Sequence, residues 1–256
     1  MKLDWIIEKE DITKIIDFCK SYEDTDFYQI RLKKNIQKEN LNFNNEFIWK
    51  VITVCLLTTQ QNSSSESPIS RFARLKPFPF ELINCKNQKE NLEFFISKTL
   101  SEFSGIRRHN NIANELKVNF DYLEKTQWKL FDEIRSVLVE KTEDKTEQIE
   151  KEKTYAELIQ SNLKGFGPKQ ARNLLQILGF TVYEIPIDSR IGKWLNEFGF
   201  PIKISAIALQ DKNYYNLISD GINNLCERAN IKPCLFDAAA FIAGDKGKWT
   251  KENSIF

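Results

Sequence analysis

Apolar residues recur along most of the chain at intervals of three and four, the period of helices that turn one face to a core. Trp5, Ile6, Ile12, Ile15, Ile16 and Cys19 predict a first helix over residues 4–22 with one apolar side. Residues 47–57 are almost continuously apolar, and Val51-Ile52-Thr53-Val54 has strand propensity, so a buried strand competes there. Asn44 or Asn45 as an N-cap, with Glu46 in the first turn, selects helix. Residues 63–67 followed by Pro68 mark a loop and a new helix start. Lys76-Pro77-Phe78-Pro79 is a rigid extended connection, since proline turns the preceding residue away from helix. Further helices are expected at 92–103, 107–123, 128–139, 154–162, 168–178, 190–198, 204–208, 214–229 and 237–243. Residues 141–153 are almost wholly charged and polar, a solvated helix end or a loop. With no repeat and little strand signal, the predicted fold class is all-α.

Composition adds limits. In 256 residues, 41% hydrophobic and 12% aromatic content supply a packed core, which argues against wholesale disorder. The 37 basic and 36 acidic side chains nearly cancel, so net charge selects no partner; a nucleic-acid binder of this kind must gather its basic groups on one face. Cysteines 19, 55, 85, 226 and 234 have no short ligand spacing, and His109 is the single histidine, so zinc and iron–sulfur sites are not expected. The thiols read as reduced and packed as small hydrophobes. No signal peptide or stretch of ~20 apolar residues is evident, which gives a soluble cytoplasmic protein as the expectation.

Candidate chemistry sits in one stretch. An amphipathic helix ends near Asn162, the turn Leu163-Lys164-Gly165-Phe166-Gly167 follows, and a second helix opens with Pro168, where a missing N–H costs nothing. Gly165 and Gly167 can adopt φ > 0, and the turn's N–H groups can then converge on a phosphate. A plain αα-hairpin with a glycine turn is the ordinary alternative. Lys169 is the second residue of the new helix, where the dipole and burial favour its neutral, nucleophilic form. Nineteen residues on, Glu184-Ile185-Pro186-Ile187-Asp188 delivers an aspartate at a helix start, with Arg190 and Lys193 beyond. Asp188 alone reads as an N-cap and Lys169 alone as a surface lysine; their pairing round one hairpin raises both.

The hairpin, Lys169 and the Ile185-Pro186-Ile187-Asp188 segment resemble the signature of the helix-hairpin-helix DNA glycosylase superfamily, which includes endonuclease III, the adenine glycosylase of mismatch repair and the 8-oxoguanine DNA glycosylases. Val54-Cys55-Leu56-Leu57-Thr58-Thr59-Gln60-Gln61-Asn62-Ser63 is similar to the family's helix-end motif, and Phe103 to Asn114, with Gly105, Arg107 and Ala113, to a segment of the archaeal-type 8-oxoguanine enzymes. The resemblance spans about residues 45–200. It implies two helical subdomains flanking a DNA-binding cleft: residues 43–180, with the helix-hairpin-helix at 154–179, and both chain ends, 1–42 with 181–256. It implies that Lys169 is a nucleophile, that Asp188 is essential, and that Gln60 or Gln61 fills the gap left by a flipped base. Lys164, Gly165, Gly167, Arg107 and Arg190 would contact double-stranded DNA. An endonuclease III type of iron–sulfur cluster needs four carboxy-terminal cysteines, and only Cys226 and Cys234 are available, so no cofactor is expected.

The activity implied is excision of a damaged or modified base, 8-oxoguanine first, with strand cleavage through a lysine Schiff base, in a monomer associated with a prokaryotic nucleoid. Excision of hypermodified phage bases in defence, a non-catalytic helix-hairpin-helix DNA clamp, and a helical protein-interaction domain stay open.

Overall fold

The structure, a computed structural model, describes residues 4–61, 64–138, 142, 144–200, 202–245, 249, 250 and 255. It is all-α: among the described residues there are thirteen α-helices and no strand. They are α1 (Lys9–Lys20), α2 (Asp26–Arg31), α3 (Asn45–Leu57), α4 (Pro68–Ala73), α5 (Leu82–Asn87), α6 (Leu92–Glu102) and α7 (His109–Lys125). After these come α8 (Lys129–Leu138), α9 (Lys145–Asn162), α10 (Pro168–Ile177), α11 (Ser189–Phe198), α12 (Lys212–Arg228) and α13 (Pro233–Gly244). None of them is long and apolar enough to cross a membrane.

Polar caps set the boundaries. Asn44 accepts from Phe47 N at 2.7 Å and starts α3, so the apolar run 47–57 is a buried helix and its strand alternative falls. Ser67 caps α4 and Asp211 caps α12. Several expected boundaries shift for the same reason. The first helix begins at Lys9, where Glu8 and Asp11 form a capping box; Trp5 and Ile6 precede it, Trp5 stacked on Phe200 at 4.7 Å and Ile6 88% exposed. The polar stretch at 141–153 runs into the same helix as 154–162, because Asp144 caps α9 through the amides of Thr146 and Glu147. It is not uniformly solvated: Gln148 and Glu152 are buried. The expected helix at 204–208 gives way to a 3₁₀ turn, Ala208–Gln210, and α2, a π-helical turn at Leu32–Gln37 and α5 were not foreseen, being too short for a periodic signal. The 76–79 connection holds a cis Lys76-Pro77 bond. Lys141 of the polar stretch, and Asn62 and Ser63 beyond Gln61, lie outside the described residues.

Buried apolar side chains form two clusters. One, drawn from residues 48–180, surrounds α3, whose Trp49 is fully buried edge-on to Phe120 and donates Nε1 to the Phe80 carbonyl at 3.0 Å. The other draws on both chain ends: Ile15, Cys19 and Tyr28 join Ile187, Ile191, Tyr215, Ile218 and Phe236. All five cysteines are free and buried as small apolar groups. Ala171, Leu174 and Leu175 of α10 belong to the first cluster, and Ile185 and Ile187 of the segment before α11 to the second.

Candidate active site

The turn between α9 and α10 is built by its neighbours. Asn119, fully buried on α7, donates to the Lys164 carbonyl at 2.9 Å and accepts from the Lys164 N–H at 2.6 Å. Gly165 takes φ +84°, and a Cβ there would sit 2.7 Å from Glu115 Cδ and 2.8 Å from Leu56 Cδ2, so both backbone and space require glycine. Gly167 differs from expectation: it is extended, φ −88° and ψ −176°, because it is the N-cap residue of α10. It offers no capping side chain, and Pro168 has no N–H, so no N-cap side chain takes up the first amides of α10. Lys164 is exposed beside them. A shallow groove of about 480 Å³ runs along this turn.

Lys169 follows on α10. It is partly buried, and among the described residues its ammonium makes no hydrogen bond or ion pair. Burial pulls its pKa down; Asp188 opposes that shift and Arg190 reinforces it. Next to it, Gln170 donates to the Cys55 carbonyl and to Thr59 Oγ1, each at 2.7 Å, and so ties the hairpin to the end of α3.

Three turns of α9 away from the hairpin, Glu152 accepts the consecutive amides of Val182, Tyr183 and Glu184 at 2.8–2.9 Å. Complete burial pushes its carboxyl up to about 7. Glu184 then pairs with Arg172 of α10, both buried, while Ser219 donates to its other oxygen at 3.0 Å. Tyr215 receives the Ile187 N–H at 2.8 Å and donates to the Ile185 carbonyl at 2.9 Å. These bonds deliver Asp188 to the start of α11, where it is an N-cap, accepting from Arg190 N at 2.8 Å and Ile191 N at 3.3 Å. Its other oxygen accepts Arg190 Nε at 2.8 Å and a second, shorter contact from Nη2. Arg190 chiefly, then Lys169, hold the Asp188 carboxyl below the usual carboxylate range. Arg190 also lies 4.3 Å over the Phe241 ring.

Lys169 and Asp188 line one open groove of about 1290 Å³, together with Gln60, Gln61, Arg108, Gly165, Gly167 and Arg190. Behind Lys169 is a smaller chamber of about 120 Å³, walled by Phe27, Arg31, Lys34, Asp237, Phe241 and Trp249 among others. Thr58, Lys169, Arg190 and Trp249 line both spaces, so the lysine stands at their junction.

On the groove's far rim, Gln61 is pinned at both ends: its Nε2 donates to the Leu57 carbonyl at 3.0 Å and its Oε1 accepts from Arg107 N at 2.7 Å. Gln60 is exposed in the left-handed region, its carbonyl held by Arg107 Nη2 at 3.2 Å. Arg108, which sequence reasoning passed over, bonds the Thr59 carbonyl at 3.2 Å and Glu115 at 3.3 Å and lines the groove. His109 packs beside Ser97 and Asn110 at the start of α7. Arg31, Lys34, Glu152 and Asp237 were also missed, since each lies far in sequence from the hairpin and carries no local motif.

No family model and no curated protein sequence matches this chain. Its fold is shared with solved structures. The 8-oxoguanine DNA glycosylase of Methanocaldococcus jannaschii superposes with a TM-score of 0.63 at 20% identity, over 93% of this chain and 97% of that one. The 8-oxoguanine glycosylase/lyase of the same organism, in complex with a 15mer DNA containing 8-oxoguanine, gives 0.61 at 17% identity, over 95% and 99%. The 8-oxoguanine DNA glycosylase of Thermotoga maritima gives 0.59 at 17%, over 95% and 99%. The chain has the fold of these glycosylases.

Proposed function

We propose that this protein is a DNA glycosylase with lyase activity that flips a damaged or modified base out of a duplex and releases it through Lys169. One observation carries the reading: a poorly solvated amine with no partner among the described residues stands where a long open groove meets a smaller chamber, with a carboxylate in the same groove. A base inside a duplex cannot be reached, so it must leave the stack and enter a pocket. The two helical clusters serve as subdomains either side of the cleft. The open amides around Gly165 and Gly167 hold a phosphate without reading sequence, and Lys164 adds charge. Gln60, whose side chain is exposed, fills the gap in the stack, while Gln61 and Arg107 brace it.

Lys169 Nζ, in its deprotonated form, bonds to the sugar C1′ as the base departs with the glycosidic electron pair and takes a proton from the nitrogen. Breaking C1′–O4′, with the nitrogen's remaining proton passing to O4′, then leaves an imine. Abstraction of a C2′ proton expels the 3′ phosphate and cuts the strand. Asp188 stabilises the positive charge that grows on the sugar. In the free protein Arg190 neutralises it, and a DNA phosphate draws Arg190 away on binding. 8-Oxoguanine, named for the three structures above, is the first substrate to test. Borohydride should trap a covalent adduct between the protein and duplex DNA carrying a substrate base, and Lys169→Gln should abolish it. An adduct that persists in the variant removes Lys169 from this role.

A further inference from the structure

The chamber behind Lys169 holds more positive charge and more free hydrogen-bond donors than its walls balance. Arg31, only 9% exposed, enters it from α2, and Lys34 follows from the adjoining π-helical turn. Arg31 donates Nη1 to the Gln176 carbonyl at 3.1 Å and to Asn35 Oδ1 at 3.4 Å, and its Nη2 lies 3.9 Å from Asp237. Its Nε is buried with no partner, as is Trp249 Nε1. Lys34 makes no ion pair among the described residues; its ammonium lies 5.2 Å over the Phe47 ring. Burial and Arg31 bring its pKa to about 8, which leaves it charged at neutral pH.

On the other side of the ledger stands Asp237, the single carboxylate among the described lining residues, which accepts from Gln176 Nε2 at 3.0 Å. It can offset one of the two cations, and Arg190 is already matched by Asp188. A buried donor or charge without a partner is costly, and a ligand that supplies acceptors and negative charge relieves that cost. The chamber, about 120 Å³, is on the scale of the ~150 Å³ cavity that takes up one benzene ring. The stacked Phe27–Phe241 pair, 4.5 Å between ring centres, gives it an apolar wall.

Resting on the glycosylase reading above, we propose that the chamber selects a base bearing an ionised acidic substituent, with Arg31 and Lys34 as the specificity-determining contacts. The test uses Lys169→Gln, which should bind without cutting, and duplexes carrying 5-carboxymethyluracil, its neutral carbamoyl counterpart, 8-oxoguanine or thymine at fixed salt. The carboxylate duplex should bind about tenfold or more tighter than the carbamoyl one, the scale of one or two charge-assisted hydrogen bonds. Adding Lys34→Gln should bring that ratio towards one; Arg31→Gln should do so too where circular dichroism shows it folded. Equal affinity for the two uracils, an unchanged ratio in Lys34→Gln, or 8-oxoguanine bound tightest overturns the assignment. Borohydride trapping of wild-type protein separates the two levels: adducts without a carboxylate preference sink only the chamber assignment, whereas no adduct with any of these duplexes or with a wider lesion panel sinks both.

Discussion

Two charge clusters, one buried and one partly buried, share the same pair of elements, α10 and the segment that ends at Asp188, yet they differ in kind. Arg172 and Glu184 form the closed one. The guanidinium meets a carboxylate, the Pro168 carbonyl at 3.2 Å and the Tyr215 ring at 4.3 Å, while Glu184 also receives Ser219. Lys169 and Asp188 belong to the open one, where the amine has no partner among the described residues and both side chains reach a cavity. Arg172 is three residues after Lys169, and Glu184 four before Asp188. The closed pair therefore sets the spacing at which Lys169 and the capping Asp188 stand. A fully bonded charge pair holds two elements together; a charge left short of partners is available to a ligand.

Breaking the closed cluster should have the largest effect. Arg172→Met leaves Glu184 buried and unpaired, and denaturant unfolding should register a loss of about 3–5 kcal/mol. A loss under 1 kcal/mol would mean that water or Ser219 suffices for Glu184 and that the joint is weaker than described. Asp188→Asn sharpens the contrast from the other side. Asparagine caps helices as well as aspartate, so stability should change little while single-turnover excision falls about 100-fold or more, roughly 2.7 kcal/mol of transition-state stabilisation. Full turnover in that variant would assign Asp188 to capping alone.

The third test concerns Glu152, whose folded pKa, about 7, lies above its ordinary 4.5. Between these values the folded protein holds a proton that the unfolded chain has lost. Glu152 therefore lowers stability as pH rises through that window, by at most about 1.4 kcal/mol per pH unit. Glu152→Gln should remove this part of the slope. Melting curves from pH 4.5 to 7.5 that run parallel for wild type and variant would show that Glu152 does not titrate there.

Sequence alone determined much of this protein, because the deciding signals are local. The apolar period gave an all-α chain, and caps at Asn44, Ser67 and Asp188 and the proline at 168 mark where helices start. The glycine turn with Lys169 and Asp188 was legible because it occupies one short stretch. Other features were decided only by tertiary structure. Glu152 sits in a charged run that reads as solvated, and burial depends on which face of α9 meets residues 182–184. Gly167 needed no left-handed backbone once it became a helix cap. That the Gln61 side chain is tied down rests on the amide of Arg107, 46 residues away. The chamber joins Arg31 to Asp237 across most of the chain. Periodicity and capping act over a few residues, whereas burial and the pairing of charges depend on neighbours that only the folded chain brings together.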